Sequence, residues 1–108
     1  MTSTTVHVLD AFVSDPEADR YGLQIMSETG LPSGTVFPIL ARFEGLGWLE
    51  SGWEQVDPKV ARRPARRYYR LTPDGLQNAR TALARVTAER RRRTGIARPT
   101  PGLAEGLA

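Results

Sequence analysis

The chain has 108 residues, no cysteine and a formal net charge of +3 at pH 7. That length suits one small domain, and the missing thiols exclude disulfides and thiolate metal sites and fit a reducing compartment. Met1 to Thr5 lacks the basic and apolar tandem of a signal peptide, and no apolar run approaches a membrane span, so a soluble cytoplasmic protein is expected.

The total charge hides an asymmetry. Residues 1–58 carry two arginines, Arg20 and Arg42, against nine acidic residues. From Lys59 onward there are thirteen basic residues against Asp74, Glu89 and Glu105. A basic second half of this kind points to a polyanionic partner, the plainer alternative being a solvated face with a basic tail.

In chain order, residues 1–5 are expected to be a disordered start. Val6, Leu9, Phe12 and Val13 then repeat at helical spacing until Pro16 breaks the pattern. A second short helix is predicted from about Asp19 through Leu23, Met26 and Glu28, with Gly30 as its stop and Pro32 beyond. Tyr21, near its start, can face either the core or a phosphate.

The third helix should run from Ser33, as N-cap, to about Gly45 or Leu46. Val36, Ile39, Leu40, Phe43 and Leu46 follow the 3.6-residue period and define its buried face. Pro38 falls near the end of the first turn, where a missing N–H is tolerated. Ser33, Gly34, Thr35 and Phe37 are left exposed, with Arg42 a turn further on. Small and hydroxyl-bearing residues at a helix start allow close approach to base edges, and the free N–H groups there favour phosphate.

Gly45 and Gly47 end that helix, and Trp48 to Glu54 reads as a strand. Trp48 is expected in the core, and Trp53 is expected to pack across the sheet on Tyr68 or Tyr69. Lys59, Arg62, Arg63, Arg66 and Arg67 follow in a proline-punctuated loop too polar for a core element, before a second strand at Tyr68 to Leu71. A basic hairpin tip of this sort can straddle a nucleic-acid backbone or enter the minor groove.

A last helix opens at Thr72 as N-cap, with Pro73 and Asp74 next. Leu76, Ala79, Leu83 and Val86 are spaced three, four and three apart, as in a coiled-coil seam. They are assigned to a twofold partner, the alternative being that the helix packs back on its own domain. Arg90 to Arg93 crowd the helix end, and residues 95–108 have the composition of a disordered tail.

The order of elements defines an α+β, mostly helical fold: a winged helix-turn-helix over residues 6–72 and a C-terminal dimerisation helix over 73–94. A helix that exposes its start, followed by an arginine-rich hairpin, suits double-stranded DNA. The candidate DNA-binding residues are Tyr21, Ser33, Gly34, Thr35, Phe37, Pro38, Arg42, Lys59, Arg62, Arg63, Arg66 and Arg67. Enzymatic chemistry is not expected, because His7 is the single histidine and no pattern pairs carboxylates in one pocket. With no Gly-rich phosphate loop or metal-ligand spacing, neither cofactor nor metal is expected. The competing reading is a dimeric basic module that binds RNA or acidic partners without sequence preference. Against base stacking on an open sheet, Tyr68 and Tyr69 alternate faces, so at most one could serve.

Tyr21-Gly22, Ser33 through Leu40, Arg42-Phe43-Glu44, Gly47, Trp53-Glu54 and Arg67 through Thr72 with Gly75 together resemble the PadR-type transcriptional regulators, over roughly Val6 to Val86. The resemblance implies a dimeric winged-helix repressor, joined through its C-terminal helix, that binds a palindromic operator and releases it on binding a small effector. It makes the helix from Ser33 the recognition helix and the arginine-rich hairpin the wing. The single C-terminal helix is similar to the shorter subgroup of that family. Phe37 stands where tyrosine is common. Val86 stands where multidrug-binding relatives can carry tryptophan.

Overall fold

The computed structural model describes residues 1–94. The expected tail over 95–108 lies outside the described residues. The chain forms α1 (Ser3–Val13), β1 (Arg20–Tyr21), α2 (Gly22–Thr29), α3 (Ser33–Gly45), β2 (Leu49–Trp53), α4 (Pro58–Ala61), β3 (Arg67–Leu71) and α5 (Pro73–Arg93).

The start of the chain is ordered rather than disordered. Thr2 caps α1 by accepting the Thr5 N–H at 3.2 Å. Thr5 itself is buried, its hydroxyl within 2.8 Å of the Thr2 hydroxyl. Threonines carry no apolar period, so the burial of residue 5 depends on packing that periodicity does not register. Val6, Val8, Leu9 and Phe12 supply the inward face of α1.

The second helix also starts later than its sequence pattern suggests. Arg20 and Tyr21 pair with Tyr69 and Tyr68 as a two-residue antiparallel strand, and α2 begins only at Gly22. Two residues cannot express a period, so pairing with β3 decides their state. Ile25 is fully buried in α2, whereas Leu23 is exposed. Gly30 closes α2 in the left-handed region at φ 73°, a conformation that favours glycine.

Pro32, not Ser33, is the N-cap of α3, because the Val36 N–H already reaches the Pro32 carbonyl at 3.0 Å. Ser33 is therefore the first helical residue. Val36, Ile39, Leu40 and Phe43 are buried as their spacing predicts. Leu46 is not, since it caps the helix where the chain leaves the core, and it is 61 % exposed. Trp48 stacks on Phe43 with ring centroids 5.0 Å apart.

The sheet has the order β1-β3-β2. In its register Trp53 lies opposite Arg67, and Gly52 lies opposite Tyr68. Trp53 thus meets a guanidinium, 5.5 Å from its ring centroid, rather than a tyrosine. Tyr69 faces the core and Tyr68 the other side. The hairpin loop contains a turn of helix, α4, capped by the Asp57 carboxylate on the Lys59 N–H and closed by Arg62 in the left-handed region at φ 56°.

Thr72 caps α5 as its sequence predicts, accepting the Gly75 N–H at 2.9 Å, and its own hydroxyl donates to the Gly47 carbonyl at 2.7 Å. This joint leaves no space at Gly75, where a Cβ would lie 1.9 Å from the Trp48 carbonyl oxygen. Ala79 is fully buried against its own domain, and Leu76 and Leu83 pack on the same core. The assignment of Ala79 to a partner contact is therefore corrected: α1 needs a cover along α5, and the small side chain supplies it. Val86, one turn beyond Leu83, lies outside that core cluster.

Arg20 is the buried charge of the domain, at 6 % exposure. Its guanidinium donates to the Ala11 carbonyl at 2.7 Å, near the C-terminus of α1, and pairs with Glu28. A cation at a helix C-terminus meets the negative end of its dipole. The residue thus ties α1, β1 and α2 together.

Candidate nucleic-acid interface

Two features converge beside the start of α3. The first is the helix end itself, where Ser33, Gly34, Phe37 and Pro38 are exposed and Thr35 is half-buried. Because Pro32 has no side-chain oxygen, the first N–H groups of α3 have no side-chain cap. An uncapped helix start presents donors and positive partial charge to an incoming anion.

The second feature is the wing. Tyr21, Gly22, Leu23, Phe37, Arg66 and Arg67 line one concavity of about 200 Å³ between it and the start of α3. Gly22 makes that approach possible, since a Cβ there would fall 2.5 Å from the Phe37 ring. Leu23 and Phe37 give this hollow an exposed apolar wall, a surface suited to a thymine methyl group. Leu23 was missed by sequence reasoning because its spacing within the helix looks inward-facing.

The basic residues of the wing are not equivalent. Lys59, Arg62 and Arg66 have exposed side chains with no ion pair among the described residues. Arg63 instead pairs with Glu54. Arg67 bonds Ser51 at 2.7 Å and Glu44 at 3.3 Å while lying over Trp53. Arg70, outside the wing, is held by Asp19 at 2.5 Å. The pairing with Arg63 holds the Glu54 carboxyl below the usual carboxylate range, and the same contact raises the Arg63 guanidinium. Burial, then the Glu54 charge, pushes the Tyr21 phenol up, so it stays neutral and donates to Glu54 at 3.4 Å.

Arg42 is not brought to this surface. Its guanidinium bonds the Thr5 hydroxyl at 3.0 Å and lies over Phe43, lining a separate hollow with Met1, Leu46 and Trp48. A residue nine positions after Ser33 stands two and a half turns up the helix, too far along it to share the exposed start. The acidic partners Glu44 and Glu54 were given no role from sequence. For Glu54 the signal was its place in the Trp53-Glu54 pair ahead of the basic loop; Glu44, on α3, carried none.

A three-stranded winged helix whose α3 starts uncapped beside a partly uncompensated basic wing is the architecture of DNA-binding transcriptional regulators. The family model described as the transcriptional regulator PadR-like family matches residues 13–81, and the chain belongs to that family. No curated protein matches the sequence. Among solved structures, the fold is similar to a PadR-like transcription factor from Bacteroides fragilis, with a TM-score of 0.67 at 19 % identity over 86 % of this chain and 88 % of that one. It is similar to a transcriptional regulator from Clostridium thermocellum, with a TM-score of 0.67 at 18 % identity over 91 % and 99 % of the two chains. It also resembles the PcaV transcriptional regulator from Streptomyces coelicolor, in complex with its natural ligand, with a TM-score of 0.68 at 22 % identity over 99 % and 71 %. Among the described residues, no helix is long and apolar enough to cross a membrane.

Proposed function

We propose that the chain is a homodimeric repressor that binds a palindromic operator, with the start of α3 in the major groove and the wing on the adjoining backbone. The observation that carries this reading is the shared concavity in which Phe37 of α3 meets Arg66 and Arg67 of the wing. It allows one protomer to touch base edges and phosphates together, the division of labour on which sequence reading depends. The contact set is Tyr21, Ser33, Gly34, Thr35, Phe37 and Pro38 with Lys59, Arg62 and Arg66. The twofold contact lies on the outer side of α5 around Val86, with the exposed parts of Leu76 and Leu83. Occupation of an operator at a promoter would exclude polymerase, and release by a small effector belongs to the same proposal. The structurally similar PcaV regulator has been solved in complex with its natural ligand, which supports such a step.

Selection of duplex DNA from a random pool at about 150 mM salt, followed by sequencing, tests the proposal. The expected product is a palindrome with half-sites about one helical turn apart, bound at least about a thousandfold better than random duplex. Retained binding with no enriched motif would refute operator reading in favour of a non-specific polyanion module. Burial of Tyr69 argues against an RNA-stacking sheet.

A further inference from the structure

Glu54 is out of place on a face that meets a polyanion. It sits just after β2, its side chain only 11 % exposed, and it collects donors from three residues. The Arg63 guanidinium binds both carboxylate oxygens, the Arg66 backbone N–H donates to Oε1 at 2.9 Å, and the Tyr21 hydroxyl donates to Oε2 at 3.4 Å. The Glu54 N–H returns a bond to the Arg66 carbonyl at 2.9 Å, so residues 54 and 66 lock the base of the wing from both sides. Two charged N–H groups, a backbone N–H and a hydroxyl around one anion form the donor set that binds a phosphate oxygen pair.

We propose that Glu54 is an internal stand-in for phosphate, which turns Arg63 from a DNA contact into a positioning residue of the wing and so restrains sequence-independent DNA binding. The inference rests on the operator reading above. Its physical basis is charge accounting: an arginine neutralised within the protein releases no counterion from the duplex and adds nothing to non-specific affinity. Through Tyr21 the clamp reaches Gly22, on which the Phe37 ring rests, so it sets the spacing between the wing and the start of the recognition helix. Glu54 is therefore a specificity determinant that contacts no base.

The test is the salt dependence of binding to random-sequence duplex. Glu54→Gln keeps an acceptor for the Arg66 N–H but loses the charge that holds Arg63. Its slope of log K against log salt should steepen by about 0.9, one additional phosphate, and its preference for operator over random duplex should fall. The gain should vanish in the Glu54→Gln, Arg63→Ala double variant. An unchanged slope in Glu54→Gln, or a gain that survives loss of Arg63, overturns the proposal. A readout without DNA separates this failure from failure of the operator reading. Trypsin should cleave Glu54→Ala after Arg62 and Arg66 several-fold faster than wild type under conditions where both remain folded. Equal cleavage overturns the clamp even if the wild-type protein binds no duplex.

Discussion

Two glycine-to-alanine substitutions, identical in chemistry, should move stability in opposite directions. At Gly75 the added methyl would lie 1.9 Å from the Trp48 carbonyl oxygen and 2.6 Å from its carbon. Carbon–oxygen contacts settle at about 3.3 Å or more, so the joint between β2 and α5 would have to open by about 1.4 Å. The obstacle is backbone, and no rotamer change relieves it. Opening strains the Thr72 N–H bond to Trp48 at 3.0 Å and the Thr72 hydroxyl bond to Gly47 at 2.7 Å. Overpacking of about 1–3 kcal/mol, with about 1 kcal/mol for each weakened hydrogen bond, outweighs the roughly 0.5–1 kcal/mol that alanine contributes in a helix. The net loss is about 2–4 kcal/mol, a fall in Tm on the order of 10–20 °C for a domain of this size. At Gly34, by contrast, a Cβ meets nothing within 4 Å, and Gly34→Ala should raise stability by up to about 1 kcal/mol. Thermal and urea unfolding followed by circular dichroism measure both. A Gly75→Ala protein as stable as wild type would refute the steric argument. The Gly34 variant has a second use: its methyl stands at the exposed start of α3, so it should weaken operator binding more than random-duplex binding while the fold becomes more stable.

Three other outcomes are expected. If the proposed homodimer forms through α5, Val86→Asp should turn a sedimenting dimer into a folded monomer, because it places a charge in the proposed twofold contact without entering the core; a persistent dimer would move that contact elsewhere. Replacing Arg62 and Arg66 together with alanine should flatten the salt slope by about 1.8, and an unchanged slope would remove both from the phosphate contacts. The Glu54 carboxyl is depressed below its ordinary value of 4.5, chiefly by Arg63. Its contribution to wing order is therefore fully present above that ordinary value and is lost as pH falls through the lower, folded one. The amide resonance of Arg66 should report that titration by NMR, and a midpoint at or above 4.5 would contradict the pairing with Arg63.

Much of the architecture was legible because long periodic segments declare themselves. The buried face Val36, Ile39, Leu40 and Phe43 of α3, the Thr72-Pro73-Asp74 opening of α5 and the two-strand wing all follow from local rules. The departures share a cause. β1 is two residues long, Thr5 is buried by a threonine cap and Arg42, and Leu23 and Leu46 sit on helices at positions whose neighbours, not their spacing, determine exposure. A period reports which residues share a face of a helix, but not which end of that face has a partner.

At the interface the same division holds. The abundance of arginine after Lys59, which pointed to a polyanionic partner, is a property of composition and is legible without the fold. Which arginines remain free depends on where carboxylates come to rest. Glu44 and Glu54 lie 23 and 9 residues before the arginines they hold, and Tyr21 lies 33 residues before Glu54. Coulomb attraction acts through distance in space, and only sheet pairing brings those groups within hydrogen-bond range. Sequence alone therefore settled that this chain is a winged helix with a basic hairpin. The tertiary structure decided that Arg63 and Arg67 are held by the protein, that Arg42 faces the N-terminal helix, and that Ala79 belongs to the core.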